Sequence, residues 1–354
     1  MMNNLEKLKI PDGADGAIIT SDINRRYFTG MKSSAGTVLK FKDAAYLIID
    51  FRYIEKARKT VKNCEVIEQG NLTEQINSLM KKHNAKSLAV ESMDMTVHRL
   101  HFFREKFPDA EFIDSDELSN NIYDMRTVKN ADEIEKIQKA QEIAEKAFDE
   151  ILGFIRPGVT EREIALKLDG CMLENGAESL SFETIALAGK NTSMPHGVPG
   201  NYRVQSGDFV LMDFGAVYDG YHSDMTRTVC VGQPTEKMRN VYNIVLDAQL
   251  KALDAVHAGM IGSELDSMAR EHIEQNGYGD NFGHSLGHGV GMEIHEFPNA
   301  SPKSKTVLKE NMVVTVEPGI YIPDEFGVRI EDFVVVTEKS HRNLTKCPKK
   351  LIIL

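Results

Sequence analysis

The stretch Phe209–Val231 constrains this chain more than any other, because two runs rich in β-branched and aromatic residues meet there at Asp219-Gly220. An Asp-Gly pair between such runs predicts a hairpin closed by a type I′ turn, since that turn needs positive φ at both central residues. With Tyr218 facing Tyr221, Asp213 falls opposite Thr226 and Asp224 opposite Gly215. Side chains on a strand alternate faces, so the two carboxylates share one face as diagonal neighbours about 7 Å apart at the backbone. Two acids placed in this way repel, and something positive is expected between them.

A second hairpin repeats the arrangement. Met312–Ile322 and Val328–Val336 both read as strands, and a five-residue link that pairs Ile322 with Val328 sets Glu331 opposite Gly319. Glu317 lies on that same face, with Pro318-Gly319 as the place where a bulge would shift the register. Between the hairpins, Phe282–Glu296 carries His284, His288 and His295 in an extended run punctuated by glycine.

The helices show the same doubling. Asn130-Ala-Asp-Glu133 has the spacing of a capping box, and Ile134, Ile137, Ala144, Phe148, Ile151 and Ile155 recur at helical intervals until Pro157-Gly158. A second helix starts at Thr160-Glu-Arg-Glu163 and closes at Asn175-Gly176. Later a helix over Thr235–His257 stops at Gly259, and another starts at Ser263 and closes at Asn276-Gly277. Gly158 and Gly259 are 101 residues apart, and so are Gly176 and Gly277. The chain therefore holds a weak duplication, helix-helix-sheet twice, each half ending in a two-acid hairpin. Pseudo-twofold packing of the halves would gather Asp213, Asp224, Glu317 and Glu331 into one cluster.

Four carboxylates at such range cannot all stay ionised unaided, because like charges at about 4 to 6 Å raise pKa values strongly. Two divalent cations would cancel the cluster. An oxygen-rich set with one imidazole suits manganese, cobalt or iron better than a thiolate-seeking structural zinc site. Spacing does not fix which histidine completes it; His288 is chosen because Gly287, Gly289 and Gly291 let the backbone approach a metal closely. No His-Glu-x-x-His spacing occurs, which excludes a helical zinc-peptidase motif.

At 354 residues the chain suits two domains. Residues 1–125 alternate short apolar strands (16–20, 37–41, 45–51, 87–91) with helical runs (52–62, 72–83, 96–107) and lack a glycine-rich phosphate loop, so they read as an α/β domain. Residues 126–354 hold the duplicated part. Arg25-Arg26 reads as solvated surface. A formal charge of −11 argues against nucleic acid or an anionic membrane as partner. No apolar run approaches the roughly 18 residues of a membrane span, and the amino terminus lacks a signal-peptide core, which points to the cytoplasm. Cys64, Cys171, Cys230 and Cys347 show no paired spacing and read as buried thiols.

The order Asp213, Asp224, His288, Glu317, Glu331 resembles the ligand set of the pita-bread metallopeptidases, in particular the Xaa-Pro aminopeptidase and Xaa-Pro dipeptidase (prolidase) branch. The resemblance covers nearly the whole chain and implies a creatinase-like amino-terminal α/β domain before a pita-bread catalytic domain. It also implies Pro195-His196-Gly197, His284 and His295 around the substrate, and Arg329 two residues before the last ligand. By that resemblance Asp213 is bidentate to one metal, Asp224 and Glu331 bridge, and His288 and Glu317 complete the other. Two metal ions are implied, manganese first, with cobalt, zinc or iron as alternatives. Glu317 then serves as proton acceptor, His196 and His295 as hydrogen-bond donors to the reacting amide, and Arg329 as orienter of the carboxylates. The substrates are peptides with proline in second place, and the assembly a homodimer.

Within the branch, prolidases that resemble this chain often carry an arginine just after the His-Glu pair that corresponds to His295-Glu296. Here Phe297-Pro298-Asn299-Ala300-Ser301 follows, without an arginine, which favours an aminopeptidase over a strict dipeptidase. A methionine aminopeptidase is disfavoured by the extra amino-terminal domain, and a creatinase-like amidinohydrolase or a catalytically dead peptide-binding module by the intact ligands.

Overall fold

The computed structural model describes residues 4–354, which divide into two compact units, the first ending at Arg126 and the second running from Thr127 to Leu354. The first unit is an α/β sandwich. Its strands are β1 (Gly16–Ile19), β2 (Thr37–Phe41), β3 (Ala45–Ile49), β4 (Glu65–Glu68), β5 (Ser87–Val90) and β6 (Glu111–Ile113). They form one sheet in the order β4-β3-β2-β1-β5-β6, antiparallel from β3 to β1 and parallel outside that. Around it stand α1 (Asn4–Lys7), α2 (Asp22–Thr29), α3 (Phe51–Thr60), α4 (Leu72–Lys82), α5 (Val97–Lys106) and α6 (Glu117–Thr127). Both sheet faces are covered by apolar clusters, one around Phe28 and Leu118 and the other around Phe103 and Phe112.

Two edge strands, β4 and β6, escape the sequence pattern because they are short and only partly buried, so they lack a sustained apolar run. Arg25 is not solvated surface. It is 2% exposed, and its guanidinium donates to the carbonyls of Thr20 and Ser33 and to Asp22, so it holds the loops at both ends of α2. Cys171, Cys230 and Cys347 are buried free thiols, whereas Cys64 is only half-buried.

The second unit is doubled. Its first half runs α7 (Ala131–Leu152), α8 (Glu161–Glu174), β7 (Ser179–Leu180), β8 (Ile185–Ala188), β9 (Phe209–Phe214), β10 (Ala216–Tyr218), β11 (Tyr221–His222) and β12 (Met225–Cys230). The second half runs α9 (Glu236–Ala255), α10 (Gly262–Gln275), β13 (Gly287–Gly289), β14 (Glu296–Ala300), β15 (Val313–Val316), β16 (Gly319–Ile322), β17 (Phe326–Arg329), β18 (Asp332–Val336) and β19 (His341–Asn343). Capping boxes start α7 at Asn130–Glu133 and α8 at Thr160–Glu163, each with both reciprocal hydrogen bonds. Gly158, Gly259, Gly176 and Gly277 all adopt positive φ, at 92°, 94°, 101° and 83°, so the paired glycines also share a backbone conformation.

Strand alternation separates core from cleft. In β9, Val210, Met212 and Phe214 pack with α7 and α8, while in β15 Val314 and Val316 pack into the α9–α10 core. The opposite faces, carrying Asp213 and Thr315, are therefore turned away from the helices. No helix among the described residues is long and apolar enough to cross a membrane.

Candidate metal centre

Asp219 and Gly220 have φ of 46° and 83°, and Tyr218 pairs with Tyr221 and Asp213 with Thr226, as the two-residue turn predicts. The second hairpin differs from its expected register. Its turn has three residues, Pro323-Asp324-Glu325, with Ile322 paired to Phe326 rather than Val328. Asp324 sits at φ 60° and Glu325 N–H donates to the Ile322 carbonyl, so a proline-led turn with positive φ at its third position closes the hairpin earlier. The shift is two residues and preserves the side-chain faces. Gly319 pairs with Arg329 and Val316 with Asp332, which puts Glu317 directly across from Glu331.

The two hairpins meet at these acids. Carboxylate oxygens of Asp213, Asp224 and Glu331 lie within 4.8 Å of one another. His288 Nε2 stands 3.5 Å from Asp224 Oδ2 and 3.3 Å from Glu317 Oε1. Its Nδ1 faces the Gly289 carbonyl at 3.0 Å, an acceptor, so Nδ1 carries the proton and Nε2 presents its lone pair to the acids. The glycines beside His288 do what close packing requires: a Cβ on Gly287 would meet the Thr315 carbonyl oxygen at 2.0 Å.

Burial, then the charge of Asp213, pushes the Asp224 carboxyl well up from its ordinary range; burial, then Asp224, does the same to Glu331. Glu317 is pushed up to about 7, chiefly by burial, and burial holds His288 below its ordinary value. Asp213 Oδ1 and Glu331 Oε1 are buried and accept no hydrogen bond from the protein. Orphaned buried oxygens, crowded acids and a neutral imidazole aimed at them fit divalent cations.

Surrounding groups fix the acids. Arg329 donates Nη2 to Asp213 Oδ2 at 2.5 Å, Nε to Thr226 Oγ1 at 3.0 Å and Nη1 to the Tyr321 hydroxyl at 2.8 Å. Thr226 in turn donates to Glu331 Oε2 at 2.7 Å, and Thr315 to Glu317 Oε1 at 2.9 Å. Tyr321 and Thr315 were not singled out by sequence reasoning. Their signal is parity, since each lies an even number of residues from Glu317.

The acids floor a cleft of about 580 Å³ whose walls include Phe182, Ile185, Pro195, Val198 and Ile294. His196, His284, His295 and Asn299 line it too. His295 packs edge-on against His288, ring centroids 4.4 Å apart. His284 Nε2 lies 3.0 Å from the Tyr321 hydroxyl, and burial holds its pKa down to about 4, so the ring is neutral near pH 7. The structure thus brings all nine sequence-selected residues, from His196 to Glu331, into one cleft.

A model of metallopeptidase family M24 matches residues 135–338, and one of the creatinase/prolidase N-terminal domain matches residues 3–128. An Xaa-Pro dipeptidase of Pyrococcus furiosus is 43% identical, covering 99% of this chain and 100% of its own. Among solved structures, an Xaa-Pro dipeptidase from Bacillus anthracis has a TM-score of 0.93 at 43% identity, covering 97% of this chain and 96% of its own. An X-Pro aminopeptidase from Thermotoga maritima has a TM-score of 0.94 at 38% identity, with 99% and 100% covered. Domain match, full-length identity and an acid-lined cleft agree, and the chain belongs to metallopeptidase family M24, an enzyme of the divalent-metal-dependent pita-bread fold.

Proposed function

We propose that this chain is a dinuclear Xaa-Pro aminopeptidase, which removes the first residue from tripeptides and longer peptides with proline in second place. Asp213, Asp224, His288, Glu317 and Glu331 would hold two divalent cations, manganese suiting this oxygen-rich set with one imidazole. When bound, such a pair supplies the positive charge that activates water and stabilises the developing oxyanion, a role known from two-metal aminopeptidases as a class.

The chain's own groups divide the remaining work. Glu317 Oε1 is turned to His288 and Thr315, which leaves Oε2 to accept the proton of the attacking water and return it to the proline nitrogen as the bond breaks. His196 and His295, exposed at the cleft, donate hydrogen bonds to the reacting amide. Arg329 holds Asp213 and Thr226 in place. The apolar wall of Phe182, Ile185 and Ile294 suits a proline ring and helps exclude water.

The preference for longer peptides rests on one observation. Arg329 is the only guanidinium lining the cleft among the described residues, and its three nitrogens are taken by Thr226, Tyr321 and Asp213. No arginine is left there to clamp a dipeptide carboxylate, which needs a charge-assisted partner. Full-length identity to a protein named Xaa-Pro dipeptidase favours the second reading, a prolidase. The test is kcat/KM for matched Xaa-Pro and Xaa-Pro-Yaa substrates with manganese. The tripeptide is expected to win, and Asn299→Arg to move the ratio towards the dipeptide; a faster dipeptide makes the enzyme a prolidase.

A further inference from the structure

His196 stands on a long connection, and among the described residues its ring has no hydrogen-bond partner of its own. Its position therefore depends on how the loop is held. The chain leaves β8 at Ala188, turns through Gly189–Ser193, passes Pro195-His196-Gly197 along the cleft and returns at Gly200 beside the start of α8. One side chain reaches both ends. Glu161, the first residue of α8 and 1% exposed, accepts from Ala188 N–H at 2.8 Å and Asn191 Nδ2 at 2.9 Å through Oε1, and from Gly200 N–H at 3.0 Å through Oε2. A buried carboxylate is a costly group unless it is hydrogen-bonded, and these three donors offset that cost only while both ends of the loop stay in place.

We propose that Glu161 is a positioning residue for His196: a single buried carboxylate staples the two ends of the 188–200 loop and so sets where the imidazole stands over the cleft. The inference rests on the reading of His196 as a donor to substrate. Glutamine at 161 keeps the shape but turns an NH₂ group towards one of the donor N–H groups, so one end of the loop comes free. Displacement of a donor by about 1 Å lowers turnover by up to about 100-fold.

The test is a double-mutant cycle on the manganese-loaded enzyme with an Xaa-Pro-Yaa tripeptide, with metal content measured in each variant. Glu161→Gln is expected to lower kcat about 10- to 100-fold with little change in KM and none in metal content. In the His196→Ala background it should cost nothing further. Asn191→Ala, which removes only one of the three donors, should give a smaller loss of the same kind and covers the case in which Glu161→Gln folds poorly. Limited trypsin cleavage after the exposed Lys190 should speed up in Glu161→Gln, independently of activity. Losses that add to those of His196→Ala, loss of metal, or an unchanged kcat would overturn the inference. A fully active His196→Ala with faster cleavage at Lys190 would instead keep the staple and remove the reading of His196.

Discussion

The two halves of the catalytic unit solve the same problem differently. In the first, the acids are diagonal, with Thr226 directly across from Asp213. In the second, Glu317 and Glu331 occupy opposed register positions between two ladders, yet after burial the charge that acts most on Glu331 is that of Asp224 in the first half. The acids are tied by neighbours from both halves: Thr226 donates to Glu331, and Arg329 reaches back to Asp213. The adjoining strands differ as well. Leu187, opposite Leu211 two residues before Asp213, lies beneath Gly197 and supports the His196 loop. At the matching place, beside Thr315 two residues before Glu317, the second half has His288, aimed at the acids. A duplicated frame has thus been made asymmetric, one half carrying the His196 loop and the other the imidazole of His288.

The sharpest way to break this comparison is at the directly opposed pair. Glu331→Ala should lose metal and at least about 10³-fold in kcat, because water activation and oxyanion stabilisation fail together. Metal analysis and single-turnover rates check it, and a metal-replete, active variant would refute it. Giving the second half the residue of the first, His288→Leu, should cut metal content by about half and activity by at least about 10²-fold while the thermal transition stays cooperative. If metal content is unchanged, His288 is not the imidazole that completes the set.

Smaller effects test the cross-links. Thr226→Val keeps shape but removes the donor to Glu331, so metal affinity should weaken about 10- to 100-fold without loss of fold, as seen by titration calorimetry. The turns should respond in opposite directions. Asp219→Ala places an ordinary side chain at φ 46° and should cost about 1 kcal/mol, whereas Asp324→Gly at φ 60° should gain up to about 1 kcal/mol, read from denaturant midpoints.

Local chemistry explains which features were legible from the chain alone. The Asp-Gly turn, the capping boxes at Asn130 and Thr160 and the glycine pairs spaced by 101 residues each depend on neighbours within a few positions or on simple repetition. Face assignment of the acids was equally robust, because a strand has period two and the actual register of the second hairpin differed by two residues. The partial burial of β4 and β6 hid them, and Arg25 looked like surface because two of its acceptors are main-chain carbonyls, of Thr20 and Ser33, which every residue carries and which therefore leave no mark in the sequence.

The sequence by itself determined that four acids occur as two same-face pairs on duplicated hairpins. Only the tertiary structure decided that the pairs meet, that Nε2 of His288 points between them, and that Arg329 is spent on Asp213, Thr226 and Tyr321. The physical reason is range. Turn type and side-chain parity are dictated by bonded neighbours, while the direction of an imidazole or the occupancy of a guanidinium depends on partners that, Tyr321 apart, lie tens to more than a hundred residues away, which nothing but packing brings within hydrogen-bond distance.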